Sequence, residues 1–302
     1  MKKLAALFLV LLALSAVARA GSAERYNTDT PAATPLPPVP LNIFDLESGY
    51  VFESNLTDGR DRGEQDAFHF QADYGHRFLL SGNLYLHLGL AYERFDFGQS
   101  SAPLPDHLQA FSGVIGLDYM HGKDVGAFIS VRPGFYTEDR IGIATFDAPI
   151  TGGRIFVLQP DKLYLFVGAN VSFLRGRLPV LPIGGIIWEP NEQWKISALL
   201  PEPRIIYSPT KALQLWGGGE LVGGSFRTDP NNIIRPARLS NAEVDYSEYR
   251  VGAGLIYSPA NMFSVDLGGG YAIERTFNFE RADKRYTTDP APYLRLEFNA
   301  RF

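Results

Sequence analysis

The chain has 302 residues, 33 of them acidic and 28 basic, for a formal net charge of −5, and it contains no cysteine. An acidic balance with no basic patch excludes a nucleic-acid partner, and the absence of cysteine excludes disulfides, thiolate chemistry, thiolate metal sites and a lipid-anchored N-terminus. With near-neutral mean hydropathy, a helical membrane protein is excluded as well.

Residues 1–20 read as a secretory signal peptide. Lys2 and Lys3 precede an apolar stretch from Leu4 to Val17, and Ala18-Arg19-Ala20 places small residues at the −3 and −1 positions of a cleavage site. The stretch is too short to span a bilayer as a helix, which needs about 20 residues. Its removal takes away Lys2, Lys3 and Arg19, so the mature charge is 25 − 33 = −8. Residues 21–45 follow as a proline-rich periplasmic linker, with Pro31, Pro35, Pro37, Pro38 and Pro40 withholding backbone donors from any ladder.

From Leu46 to Phe302 the chain becomes a series of period-2 runs separated by turn residues. Alternation of this kind gives a strand one face for an apolar phase and one for water. The longest run is Met262 to Glu280. Phe263, Val265, Leu267, Gly269, Tyr271, Ile273, Phe277 and Phe279 share its apolar face; Asp266, Glu274 and Asn278 lie on the other. At about 3.3 Å per residue and a tilt near 40°, Phe263 to Phe277 rises roughly 35 Å, enough for a ~25 Å apolar band with a rim aromatic at each end. The last nine residues alternate without a slip. Leu294, Leu296, Phe298, Ala300 and Phe302 face one way and Arg295, Glu297, Asn299 and Arg301 the other. An alternating terminal strand ending on an aromatic is where an outer-membrane barrel keeps its assembly signal, here Leu294, Leu296, Phe298 and Phe302. The expected fold is all-β, an antiparallel up-and-down transmembrane barrel over residues 46–302.

The runs fall near 46–57, 65–77, 83–97, 108–121, 125–136, 150–159, 162–174, 180–189, 193–207, 211–226, 243–258, 261–280 and 290–302. That is an odd number, whereas a barrel with both ends in the periplasm needs an even one. Short and long connections fall out of phase between 175 and 207. Either 180–189 belongs to a surface loop, giving about twelve strands, or the segment around Pro201-Glu202-Pro203 is a turn, giving fourteen. The pieces flanking those prolines are shorter than the 9–11 residues of a spanning strand, so twelve is the expectation and fourteen the alternative. Across the Ser258–Asn261 turn, like faces pair if Tyr257 opposes Phe263 or nearly so, which sets Arg250 across from Gly270 and Gly252 from Gly268. The glycines of these strands, with Gly217, Gly218, Gly219, Gly223 and Gly224, lack the lysine of a phosphate loop.

Leu181-Pro-Ile-Gly-Gly-Ile-Ile-Trp188-Glu-Pro190, Trp194-Lys-Ile-Ser-Ala-Leu-Leu-Pro201-Glu-Pro203, Tyr207, Tyr249-Arg-Val-Gly-Ala-Gly-Leu255 and the closing Phe302 resemble an uncharacterised, domain-of-unknown-function family of outer-membrane β-barrel proteins. The resemblance implies barrel form and outer-membrane location; the expected partners are outer-membrane lipid, the barrel-assembly machinery that reads the terminal strand, and small solutes, with no cofactor expected. The resemblance supplies no catalytic residues.

Inward-facing charges of mixed sign are expected: Asp73, Asp118, Arg132, Glu220, Glu248, Arg250, Asp266, Glu274, Arg295, Glu297 and Arg301. Alternating signs pair into a network that fills a lumen. The leading functional reading is a narrow or partly occluded channel for small solutes. The alternative is a closed structural or interaction barrel displaying loops 57–65, 98–107, 137–149, 227–242 and 281–289. A barrel-type lipid hydrolase is a third reading, weakened because His69 and Asp73 are about 13 Å apart along a strand and no serine sits in a nucleophile context. The dispersed histidines His69, His76, His87, His107 and His121, and the Asp58/Asp61/Glu64/Asp66 segment, match no metal site.

Overall fold

The computed structural model describes residues 39–302 except 122–123, 176–178, 231–236 and 261. The expected signal peptide and residues 21–38 of the expected linker lie outside the described residues. Seventeen ladder segments form one sheet, and in three places two consecutive segments make a single strand, so fourteen strands cross the wall. They are β1 (Asn42–Thr57), β2 (Asp61–Ser81), β3 (Leu84–Phe97), β4 (His107–His121), β5 (Asp124–Val131 with Gly134–Thr137), β6 (Phe146–Asp147 with Ile150–Gln159) and β7 (Leu163–Val171). The second half comprises β8 (Val180–Asn191), β9 (Trp194–Ser197), β10 (Arg204–Tyr207), β11 (Leu213–Arg227), β12 (Glu243–Ala260), β13 (Phe263–Phe279) and β14 (Lys284–Thr288 with Ala291–Arg301).

Each strand pairs antiparallel with the next, and β14 pairs with β1 from Ile43↔Arg301 to Val51↔Tyr293, closing the barrel. Phe302 and Asn42 exchange backbone hydrogen bonds of 2.6 and 3.1 Å. The strand therefore begins at Asn42, ahead of the expected boundary at 46, because residues 42–45 are captured by the C-terminal strand. We call the end carrying Asn42 and Phe302 the terminal rim and the opposite end the distal rim. The wall's outer face is apolar, with Leu90, Ile115, Val167, Val251, Leu267, Leu294 and Leu296 exposed. Exposed Trp188, Trp194, Tyr257 and Phe263 ring the terminal rim, the distribution of an outer-membrane β-barrel.

The expected count of twelve is wrong, and fourteen holds. Residues 180–191 are a strand paired along its length with β7, and the Pro201-Glu202-Pro203 segment is a turn. Each half of the split run makes only a four-residue strand. The lost pairing is partly replaced: the carbonyls of Pro201 and Pro203 accept the amides of Leu221 and Gly219 at 3.0 and 2.9 Å. A strand shorter than 9 residues is tolerated because its tip leans on a neighbour's backbone, which simple length rules ignore. Two expected loops also shrink: only 58–60 separate β1 from β2, and Lys284–Thr288 lengthens β14.

The expected β12–β13 register is off by two. Gly252 lies opposite Gly270 and Gly254 opposite Gly268, because Ser258–Ala260 continue the strand and Ala260 pairs with Phe263. A β-bulge then breaks the alternation: Arg250 opposes Ala272 and Tyr249 opposes Glu274, leaving Ile273 as the extra residue. Beyond it the faces swap. Phe277 and Phe279, expected on the outer wall, point inward and are fully buried.

They enter a hydrophobic core that fills the distal half of the barrel. Phe95, Phe97, Phe226, Tyr246, Phe277 and Tyr286 pack there with Leu56, Leu108, Leu239 and Val244. The Phe97–Phe277, Phe95–Tyr246 and Tyr246–Phe277 ring centroids are 4.7, 4.9 and 4.9 Å apart. Phe277→Ala is expected to cost about 3–5 kcal/mol of folding free energy, read from urea titrations into detergent. Tyr271→Ala, on the outer wall, should cost clearly less; equal losses would mean that the bulge does not turn Phe277 inward.

Candidate functional site in the barrel lumen

Beneath the distal core the inward residues of β1, β2 and β11–β14 are charged. Arg295 is 2% exposed. Its guanidinium donates to Glu202 at 2.8 Å, Glu220 at 2.9 Å, Asp266 at 2.7 Å and Glu297 at 2.6 Å. Arg204 reaches Asp266 at 3.0 Å and also pairs with Glu202. The Trp216 indole donates to the other oxygen of Asp266 at 2.7 Å, and the Arg204 guanidinium stacks 4.2 Å above the Trp216 ring. Trp216 fits because Gly268 and Gly254 flank it; a β-carbon on either would lie within 2.7 Å of the indole.

Arg250 forms the second node. It pairs with Glu248 and lies 3.5 Å from Glu220 and 3.9 Å from Glu47. Gly49 makes its space: a β-carbon there would sit 3.2 Å from the guanidinium. Glu47 approaches His69 Nδ1 at 3.4 Å, and Glu93 approaches Nε2 at 3.3 Å, with the ring stacked 4.5 Å from Phe95. Toward the terminal rim stand Asp45–Arg301 at 2.8 Å, Arg77–Asp118 at 2.8 Å and Arg132–Asp73 at 3.5 Å.

Of the residues singled out in the sequence, Glu248, Arg250, Asp266, Arg295 and Glu297 face the lumen, and the structure gathers them into this network. Glu274 does not. The bulge at Ile273 turns it to the outer face, where it takes a hydrogen bond from Arg285 at 2.7 Å. Arg275 occupies the inward position instead, fully buried and hydrogen-bonded to Ser54 at 3.1 Å and to the Gln65 carbonyl. Leu294 and Leu296 are exposed on the outer wall, Phe298 is half-buried and Phe302 is exposed at the terminal rim.

Sequence reasoning missed Glu47, Arg77, Glu202, Arg204 and Trp216. Glu47 and Arg77 lie on the inward parity of their strands and were legible. Glu202 sits in the proline turn, where no alternation exists to read. His69 turns its two ring nitrogens toward Glu47 and Glu93, at 3.4 and 3.3 Å, rather than toward a serine. Among the described residues no cluster of three His, Asp or Glu side chains is arranged to hold a metal. At the distal rim Asp58 accepts two hydrogen bonds from Arg62 at 3.0 and 2.9 Å, and this guanidinium holds its carboxyl below the ordinary aspartate range.

The wall opposite is different in kind. In a fourteen-strand barrel β6 faces β13 across the lumen, and the inward residues of β5–β7 include Phe128, Ile155, Tyr164 and Phe166. All four are half-buried. The Phe128 and Phe166 rings are parallel, with centroids 6.2 Å apart. The lumen thus sets an aromatic and aliphatic wall against an ionic one.

No family model and no curated protein matches the chain. Solved membrane barrels do. An outer membrane channel from Pseudomonas putida F1 aligns over 92% of this chain and 100% of its own, at 10% identity and a TM-score of 0.46. The Pseudomonas putida toluene transporter TodX aligns over 87% and 90%, at 11% identity and a TM-score of 0.43. The translocator domain of the autotransporter NalP from Neisseria meningitidis aligns over 88% and 90%, at 10% identity and a TM-score of 0.34.

Arg295→Met is expected to destabilise the barrel by about 3–5 kcal/mol, because it leaves several buried carboxylates facing one another. Adding Glu220→Gln should return part of that loss in a double-mutant cycle by urea titration. Strict additivity would show that Arg295 and Glu220 do not act as one cluster.

Proposed function

We propose that this protein is a narrow, partly occluded outer-membrane channel for small solutes, with both chain ends in the periplasm. The observation that carries the reading is the asymmetry of the lumen. The inward side chains of β1 and β11–β14 are buried in ion pairs or in the distal core, whereas Phe128, Ile155, Tyr164 and Phe166 stand half-exposed across from them. A barrel serving only as a scaffold has no reason to leave part of one inner wall, from Phe128 to Phe166, less filled than the wall across from it. Solutes that suit such a lumen have an apolar or aromatic body.

The orientation follows from the chain ends. A terminal strand carrying Leu294, Leu296, Phe298 and Phe302 is suited to the periplasmic barrel-assembly machinery, and the resemblance to a domain-of-unknown-function family of outer-membrane barrels agrees with that placement. The distal core favours a second reading, a closed barrel that displays its distal loops.

Single-channel recording in planar bilayers separates the two. The channel reading expects resolved steps, smaller than those of open porins, that grow when Phe95→Ala and Phe226→Ala are combined to thin the distal core. Electrical silence at verified insertion, in both proteins, favours the closed barrel.

A further inference from the structure

The wall is not continuously hydrogen-bonded. β9 and β10 end at Ser197 and Arg204, and the last contact on the β8 side is the Ala198 amide on the Ile186 carbonyl at 2.8 Å. Beyond that level β8 is paired only with β7, from Val180↔Val171 to Gly185↔Phe166. No ladder joins residues 180–185 to β11. The two strands meet through side chains alone. Leu221 shares the outward parity of Leu215, which is 45% exposed, and its β12 partner Tyr249 shares that of Val251, which is 55% exposed, yet Leu221 is only 4% exposed. It is covered by Ile183, an inward residue of β8 that is also 4% exposed, with Leu200, Phe166 and Tyr249 packed around the pair. The inner face of β8 overlaps the outer face of β11.

We propose that this overlap is a lateral gate, through which a small apolar molecule passes between the lumen and the lipid. A ladder resists sliding because each step breaks a directional hydrogen bond in a medium with no water to replace it. An apolar contact slides at little cost, and here the surface exposed by sliding meets lipid or solute of the same character. Phe166 joins the gate to the lumen, since it stacks on Phe128 in the half-exposed wall and packs in the seam cluster.

The tip residue Leu200 is held in the seam by its neighbours. Glu202 is tied to Arg295 at 2.8 Å and to Arg204, and the flanking prolines accept hydrogen bonds from β11. Glu202 is thus a positioning residue that links the lumen's charges to the wall.

The gate rests on the channel reading, and its test is chosen to fail separately. Because the chain has no cysteine, Ile183→Cys with Leu221→Cys introduces one disulfide across the seam. Cells whose lipopolysaccharide leaflet slows N-phenyl-naphthylamine would express the full-length double variant. Oxidation should lower probe uptake to the level of cells lacking the protein, dithiothreitol should restore it, and each single variant should be insensitive to both. Unchanged uptake after complete disulfide formation, with bilayer conductance intact, overturns the gate and leaves the channel. Neither protein-dependent uptake nor conductance in the reduced protein overturns both. Failure of the two thiols to join in a barrel of native heat-modifiable mobility overturns the seam packing itself. Glu202→Gln should speed N-ethylmaleimide labelling of Leu221→Cys several-fold, whereas a purely structural Glu202 would leave that rate unmoved in correctly folded barrels.

Discussion

In hydrocarbon every backbone amide and carbonyl must find its partner within the protein, and the unusual features of this barrel are places where that requirement is met by something other than a plain ladder. Closure of β14 on β1 removes the two chain-end edges. At Pro133, where β5 is interrupted, the proline carbonyl turns to the Gly113 amide at 2.9 Å. At the short β9–β10 hairpin the carbonyls of Pro201 and Pro203 serve two amides of β11. Proline withholds a donor but keeps its acceptor, so each of these breaks is repaired from the carbonyl side. Between β8 and β11 the repair changes kind, from hydrogen bonds to overlapping apolar faces.

The interior solves a related problem twice. A fourteen-strand wall encloses more volume than its inward side chains fill by default. The distal half is filled as a soluble core would be, by interlocked aromatics. The lower half along β1 and β11–β14 is filled by charge, and a buried charge without a partner costs several kcal/mol. That cost explains why Arg295 meets four carboxylates and why Gly49, Gly254 and Gly268 are kept small around Arg250 and Trp216. Such a cluster is exchangeable only with groups of matching charge, which under the proposed channel reading leaves apolar solutes to the opposite wall.

Period-2 alternation made the fold legible, because a strand with lipid on one side and a lumen on the other has no other pattern open to it. It placed Glu248, Arg250, Asp266, Arg295 and Glu297 on the correct face for the same reason. It failed at Glu274, Phe277 and Phe279, where one bulged residue inverts every face beyond it; nothing in the composition of Ala272-Ile273-Glu274 marks that residue. It failed also at the strand count. The length of a spanning strand is a rule about strands that cross alone, and β9 and β10 borrow support from β11. Glu202 was illegible because its position depends on where a turn folds back, not on periodicity.

The two halves of the wall differ in how firmly they are tied. β1–β4 and β11–β14 are long strands whose neighbours pair over many consecutive positions, Leu213↔Tyr257 to Arg227↔Glu243 being one unbroken example, and their inner faces are packed. β9 and β10 pair over four positions, β8 is tied on one side only from Val180 to Gly185, and on β5–β7 the inner face is packed around Tyr136, Asp147 and Asn170 but only half-buried at Phe128, Ile155, Tyr164 and Phe166. Opening energies follow the hydrogen bonds and buried contacts that must be broken. By that measure β8–β10 are the most weakly tied strands, while the ionic cluster and distal core hold β1 and β11–β14 as a frame. These weakly tied strands adjoin the apolar inner wall at Phe166, so the proposed channel and the proposed gate draw on the same side of the barrel.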